Sequence, residues 1–333
     1  MSHALLRVLR AGLMTTVQDL GRPGFGHLGV PLGGAMDRLS HRLANRLVGN
    51  SDSAAALEMT MRGDEFEFLA DSVAAVCGAN MQPQLETPDG RCHPFPCQRP
   101  VKIRRGSLLR FGGVTRGCRA ILAVAGGINV PEVLGSRATL MRGAWGGFHG
   151  RRLEAGDELW AGDGNFKQLS HVGDIDACLR LRWEVRLQWL PGRAATVLRF
   201  LPGTHFGGLT AAARELLPGQ RFEVRSESDR MGYRLRGPGL ELLNGGDGQL
   251  KSAAVVPGTL QLPHDGQLVL LMADCAPTGG YPRIGHVISA DLSLAAQLCP
   301  GSALRLELTN FEVACAALRE QERSLRMAIA GVS

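Results

Sequence analysis

Arg230 and Arg234, four residues apart in Ser228-Asp229-Arg230-Met231-Gly232-Tyr233-Arg234-Leu235, have the residue type that clamps a phosphate or a carboxylate. A guanidinium presents a planar fork of N–H donors that matches the two-oxygen edge of either anion. Arg22 and Arg283 are second choices for the same work. Each of these arginines can instead tie loops together by pairing with Asp229 or Asp19. Asp274 follows the apolar run Leu268–Met272, so a barrel strand would deliver its carboxylate to a rim, for magnesium binding or general-base work. Capping the next turn is its alternative. Downstream, Gly279-Gly280 lets backbone N–H groups approach an anion, Thr278 offers a hydroxyl and Tyr281 closes the pocket. A plain turn ahead of Pro282 explains the same residues without a ligand.

His264 sits in the turn Pro263-His264-Asp265-Gly266 between two apolar runs and is therefore exposed. An imidazole there can shuttle a proton near neutral pH, or be a turn residue without a role. Gln18, Asp19 and Asp37 either present polar groups to a substrate or cap their own loops. Cys275 as a nucleophile lacks an identifiable base. Cys92, His93 and Cys97 cluster, but no second ligand pair stands at zinc-like spacing.

Positioning such groups falls to many short strands joined by glycine turns. The pattern predicts strands at 7–13, 65–69, 72–77, 101–105, 107–111 and 119–125 in the first half, with a glycine-rich loop over 15–34. Asp37 caps a helix whose Leu39, Leu43 and Leu47 share a face and whose end is marked by Gly49. Arg105-Gly106 reads as a hairpin or a bulge, and 126–164 as loop. In the second half strands are expected at 196–201, 221–226, 255–262, 267–272 and 304–308, with helices at 210–217 and 291–298. A last helix over 310–327 places Phe311, Ala314, Leu318 and Leu325 on one stripe.

The length of 333 residues suits two cores, with the junction where glycine density falls, near 165–193. The expected division is 1–190, 191–310 and a terminal helix and tail over 310–333. Asp37–Leu43 aligns with Asp229–Leu235 on Asp, Arg, Arg and Leu, which hints at a duplicated domain. Without alternating strand–helix units a doubly wound sheet is disfavoured. The expected class is mainly β with a few short helices, arranged as closed or nearly closed barrels.

Composition narrows the function. The net charge of +6 is scattered rather than striped, and aromatics are 5%, which argues against nucleic acid. No apolar run approaches the length of a membrane span and no signal peptide pattern opens the chain. A cytoplasmic protein with reduced thiols is expected, since the 8 cysteines fall in no disulfide framework.

Four segments resemble the allophanate hydrolase subunit 2 family, also described as biotin-dependent carboxyltransferase-like or KipA-like. They are Thr15–Gly24 continuing through Gly33–Asp37 to Ala44–Asn50; Ala125–Ile128 with Gly135–Thr139; Ser228–Leu235; and Val256–Gln267 ending in Thr278–Ile284. Within the family, Gln261–Gly266 followed by Gly279–Ile284 most resembles the branch that supplies the C component of 5-oxoprolinase. The resemblance implies two tandem cyclophilin-like β-barrels and adds Gln261 and Asp229 to the substrate- or nucleotide-binding residues. It also implies two partners in a hetero-oligomer: a B component of the KipI-like or allophanate hydrolase subunit 1 type, and a separate A component. Together they would convert 5-oxo-L-proline, ATP and water to L-glutamate, ADP and phosphate, with ATP and Mg2+ bound at the level of the complex and this chain inactive alone. Two other activities fit the same family: a biotin-dependent carboxyltransferase component acting on urea or an amide, and a KipA-type regulator that binds a kinase inhibitor. Cys275 and Pro277 depart from the family's usual residues in the loop before Thr278.

Overall fold

The computed structural model describes residues 4–162, 172–180, 190–191, 194–243 and 250–330. The chain divides into two compact units. One comprises 1–22, 37–190 and 324–333; the other comprises 23–36 and 191–323. The glycine-rich stretch 23–36 therefore packs with the second unit, although it lies early in the chain.

The first unit holds strands β1 (Ala4–Arg10), β2 (Met14–Gln18), β3 (Ala56–Thr60), β4 (Glu65–Phe68), β5 (Ser72–Asn80) and β6 (Gln84–Glu86). It continues with β7 (Cys92–Pro94), β8 (Pro100–Ile103), β9 (Leu108–Arg110), β10 (Arg116–Val124) and β11 (Glu158–Trp160). They form a six-stranded sheet, β11-β1-β4-β9-β6-β7, and a five-stranded sheet, β2-β3-β10-β5-β8. Helices α1 (Arg38–Leu47) and α2 (Ile175–Arg180) accompany them. Successive strand residues face opposite ways, and the long central strands bury both faces. Ala74, Val76, Ala120, Leu122 and Val124 join the core that contains Leu6, Phe66 and Phe68 of the other sheet. Their neighbours Val73, Ala75, Cys77, Ile121 and Ala123 join the core of α1, with Leu39, Leu43 and Leu47. Asp37 accepts from the Ser40 N–H at the start of α1, and Gly49 beyond its end has φ 73°, as the sequence predicts.

The second unit contains a closed barrel of seven strands in the order β12 (Thr196–Pro202), β19 (Arg283–Val287), β16 (Thr259–Gln261), β17 (Val269–Leu271), β14 (Gly232–Arg236), β13 (Arg221–Val224) and β20 (Ala303–Leu308). β20 closes on β12 in parallel register, Leu304 opposite Thr196, so no edge of this sheet is left open. Leu198, Phe200, Phe222, Leu235, Leu260, Leu270, Ile284 and Leu306 fill it. A two-stranded ribbon pairs β15 (Ala253–Ala254) with β18 (Thr278–Gly279). Helices α3 (Ala211–Leu216), α4 (Ser289–Ala296) and α5 (Phe311–Ala330) complete the elements. Among the described residues no helix is long and apolar enough to cross a membrane.

Several expectations are corrected. The 15–34 loop begins as a strand, because Thr15, Thr16 and Val17 are buried β-formers paired with β3. Arg105-Gly106 is not a hairpin: β8 and β9, which it joins, lie in different sheets. The aligned heptapeptides are not equivalent elements, since the first opens α1 and the second is a turn running into β14. β14 and β19 were not expected as strands. On α5, Phe311 is 73% and Leu318 40% exposed, so the predicted stripe is buried only towards Leu325.

Candidate functional site

Each unit concentrates polar groups in one place. In the first, Gln18, Arg22 and Asp37 are all buried, near the start of α1 and the end of β2. Charges and amides in such a setting must be paired, because leaving one unsatisfied costs several kcal/mol. The Gln18 amide donates to Thr16 Oγ1 at 2.9 Å and to the Thr139 carbonyl at 3.2 Å, while its Oε1 has no partner. The Asp37 backbone N–H points to Glu58 Oε2 at 3.4 Å, and its carboxylate caps α1 through Ser40. Arg22 donates to the Ala138 carbonyl at 2.5 Å and lies 4.5 Å over the Trp145 ring.

Glu58, His41 and Arg119 are equally buried. Sequence reasoning did not single them out. The signal for Glu58 was present: a lone carboxylate inside the apolar run of β3 is tolerated only with partners. His41 takes an amide contact from Asn45 at 3.0 Å on Nε2, and its Nδ1 has no hydrogen-bond partner. Burial pushes its pKa down to about 4, against the opposing charge of Asp19.

Acid should therefore weaken the fold at this ring. Above the ordinary histidine value of 6.5 the ring is neutral folded or unfolded; between 6.5 and about 4 only the unfolded chain takes up the proton. Stability is lost as pH falls through that window, by about 2 kcal/mol at pH 5. Burial lowers His205 and His286 in the same sense, so the difference between proteins is what matters. Urea unfolding of His41→Gln at pH 7.5 and pH 5 should show a drop smaller by about that amount. An unchanged drop would remove His41 from the explanation.

In the second unit Arg230 and Asp274 are both buried and bound to each other. Arg230 Nε donates to Asp274 Oδ2 at 2.8 Å and Nη2 to Oδ1 at 3.0 Å. Nη2 also reaches the Gly34 carbonyl at 2.6 Å, and the Gly33 N–H donates to the Ala273 carbonyl at 2.9 Å. The fork thus fastens the 33–34 strap beside the segment that carries Asp274. The two-oxygen edge of Asp274 faces a guanidinium, and among the described residues no group of three acidic, histidine or cysteine side chains could hold a metal. Asp274 does not fit a magnesium ion in this arrangement. Cys275 beside it is buried, and desolvation with the Asp274 charge pushes its thiol up to about 12, far from a nucleophilic thiolate.

Gln261 lies at the end of β16 and is 5% exposed. Its amide Nε2 has no hydrogen-bond partner and rests against Gly279, where any Cβ would overlap it. Gly280 and Tyr281 follow directly, and the exposed Tyr281 and His264 rings meet edge to face with centroids 6.2 Å apart. Arg283 donates its backbone N–H to His205 Nδ1 at 3.1 Å and its Nη1 to the Ala254 carbonyl at 3.3 Å. Thr278 is exposed on the ribbon, opposite Ala254. The structure therefore brings Gln261, Gly279, Tyr281 and His264 into one neighbourhood. It does not pair Arg234 with Arg230: Arg234 points outward from β14, while Asp229 accepts from the Met231 and Gly232 N–H groups of its own turn.

Comparison with known proteins sets the chain in a wider group. The family model described as carboxyltransferase domain, subdomain A and B, matches residues 28–308. The chain is 36% identical over 319 residues to the C component of 5-oxoprolinase from Escherichia coli, covering 96% of each. It is 32% identical over 318 residues to the same component from Haemophilus influenzae, again covering 96% of each. The crystal structure of the Kluyveromyces lactis urea amidolyase superposes with a TM-score of 0.84 at 30% identity, over 98% of this chain and 20% of that one.

Proposed function

Because the chain belongs to the carboxyltransferase domain, subdomain A and B, family, we propose that it serves as the C component of an ATP-dependent 5-oxoprolinase. With its A and B partner components it helps open 5-oxo-L-proline to L-glutamate. Two observations of similarity support this choice within the family. The 5-oxoprolinase relatives align along 96% of both chains, whereas the urea amidolyase match occupies 20% of a longer protein.

The geometric support is the Gln261 amide. A lactam carbonyl is a poor electrophile because the ring nitrogen donates into it, and ATP supplies the activation by phosphorylating that oxygen. What this chain would contribute is a buried amide donor with no partner of its own. Gln261 Nε2 is buried, lacks a partner and faces a glycine that leaves it room. A donor that gives up no protein hydrogen bond to bind a carbonyl oxygen adds its full strength to substrate orientation and electrostatic stabilisation. Tyr281, exposed two residues after Gly279, would provide an aromatic wall against the ring. We assign ATP and its magnesium to the assembled complex, since Asp274 is committed to Arg230.

The urea amidolyase similarity favours one competing activity, carboxyl transfer from biotin. The two separate cleanly. In the assembled complex, glutamate formation should be the same with bicarbonate removed and with avidin added. Dependence on bicarbonate, or inhibition by avidin, would assign the chain to carboxyl transfer instead.

A further inference from the structure

We propose that the first unit carries a binding site of its own for a small monocarboxylate of amino-acid size, built on Arg137. The turn Asp19–Gly21, the turn Ser51–Ala55, the loop Gly126–Asn129 and the segment Gly135–Arg137 enclose a cavity of about 310 Å3. That volume is at the small end of the roughly 300–1,000 Å3 that small-molecule sites span, which fits an amino acid or hydroxy acid and not a nucleotide.

Arg137 is held from several directions. Its backbone N–H donates to Asp19 Oδ2 at 2.6 Å, and Asp19 Oδ1 accepts from the Gly21 N–H and from Ser136 Oγ, both at 2.7 Å. The guanidinium is fixed by Nε to the Val130 carbonyl at 2.9 Å and by Nη1 to Glu132 at 3.0 Å. Its Nη2 has no hydrogen-bond partner among the described residues. With Nε and Nη1 both anchored, the guanidinium is held in place and its Nη2 is left to donate to a carboxylate oxygen.

The charge balance of the wall points the same way. Asp19 already accepts three hydrogen bonds from the loops it joins, so its negative charge is spent on structure. Glu132 is the other acid, and its pairing with Arg137 is exposed, with side-chain exposures of 55% and 38%. Exposed pairs of this kind add little stability, so a ligand carboxylate can take the place of Glu132. The remaining polar side chains lining the cavity, Ser51, Ser53 and Asn129, can all donate. Gln261 lies in the other unit, so this site stands or falls apart from the role given to that residue.

Calorimetric titration of the full chain tests the site, with 5-oxo-L-proline and L-lactate as carboxylates and pyrrolidin-2-one as the same ring without the carboxylate. Both carboxylates should bind, and pyrrolidin-2-one at least tenfold more weakly. Arg137→Gln should weaken the carboxylates at least tenfold. Since Arg137 also braces its loop, Glu132→Gln on the exposed surface gives the second reading. Removing that competing charge should tighten carboxylate binding several-fold. Absence of binding by either carboxylate, equal binding of pyrrolidin-2-one, an unchanged Arg137→Gln, or weaker binding by Glu132→Gln would each overturn the proposal.

Discussion

Arg230→Met is expected to destabilise the second unit by about 3–5 kcal/mol, because it strands the Asp274 carboxylate in a buried position with no counter-charge. The side chains of Arg230 and Asp274 are 7% and 8% exposed, so water cannot replace the lost donors. For a unit of this size the melting temperature should fall by roughly 10 °C, at about 2–4 °C per kcal/mol. The double variant Arg230→Met/Asp274→Leu should recover much of that loss, since neither charge is then left unpaired. Thermal unfolding of the three proteins decides between two roles for the pair. If Arg230 and Asp274 act on substrate, the Arg230→Met protein keeps its melting temperature and loses turnover. If they fasten the 33–34 strap, stability falls first and turnover follows it.

The second large effect concerns Gln261. Gln261→Leu removes the amide and keeps most of the side-chain volume, so the barrel should fold with unchanged or slightly raised stability. An unpartnered buried donor is a cost to the free protein, and removing it relieves that cost. In the assembled enzyme the same change should lower kcat/KM for 5-oxo-L-proline by about 10²-fold, the usual scale for one pre-placed donor. Gly279→Ala should give a similar loss by another route, because its Cβ overlaps the Gln261 amide and must push it aside. A Gln261→Leu enzyme with full activity would show that the amide is merely a poorly satisfied core group.

Much of this was legible in the residues. The α1 cap at Asp37 and its stop at Gly49 follow from local chemistry, and so does the exposed turn at His264, because each is decided within a few positions. Partnerships across long separations were not. Asp274 could be placed at a strand end, but nothing in its neighbourhood announced that the fork meeting it would come from Arg230, 44 positions earlier. Asp229 and Asp19, the nearer acids, were the expected partners; Asp229 instead accepts within its own turn, and Asp19 accepts from Gly21 and from the distant Ser136 and Arg137. The all-buried polar residues Glu58 and His41 were missed for a related reason. Periodicity flags apolar residues on a face, and a polar residue on the same buried face leaves only a gap in the pattern. The α5 stripe failed in the opposite direction: its spacing is helical, yet spacing alone does not supply a surface to cover Phe311 and Leu318.

The most direct measurement is glutamate release from 5-oxo-L-proline and ATP by the two partner components, with and without this chain. Turnover should require the chain, should consume ATP as glutamate appears, and should fall by about 10²-fold with the Gln261→Leu protein added in equal amount. Full turnover by the two partners alone, or no turnover in any combination with folded chain present, would contradict the assignment.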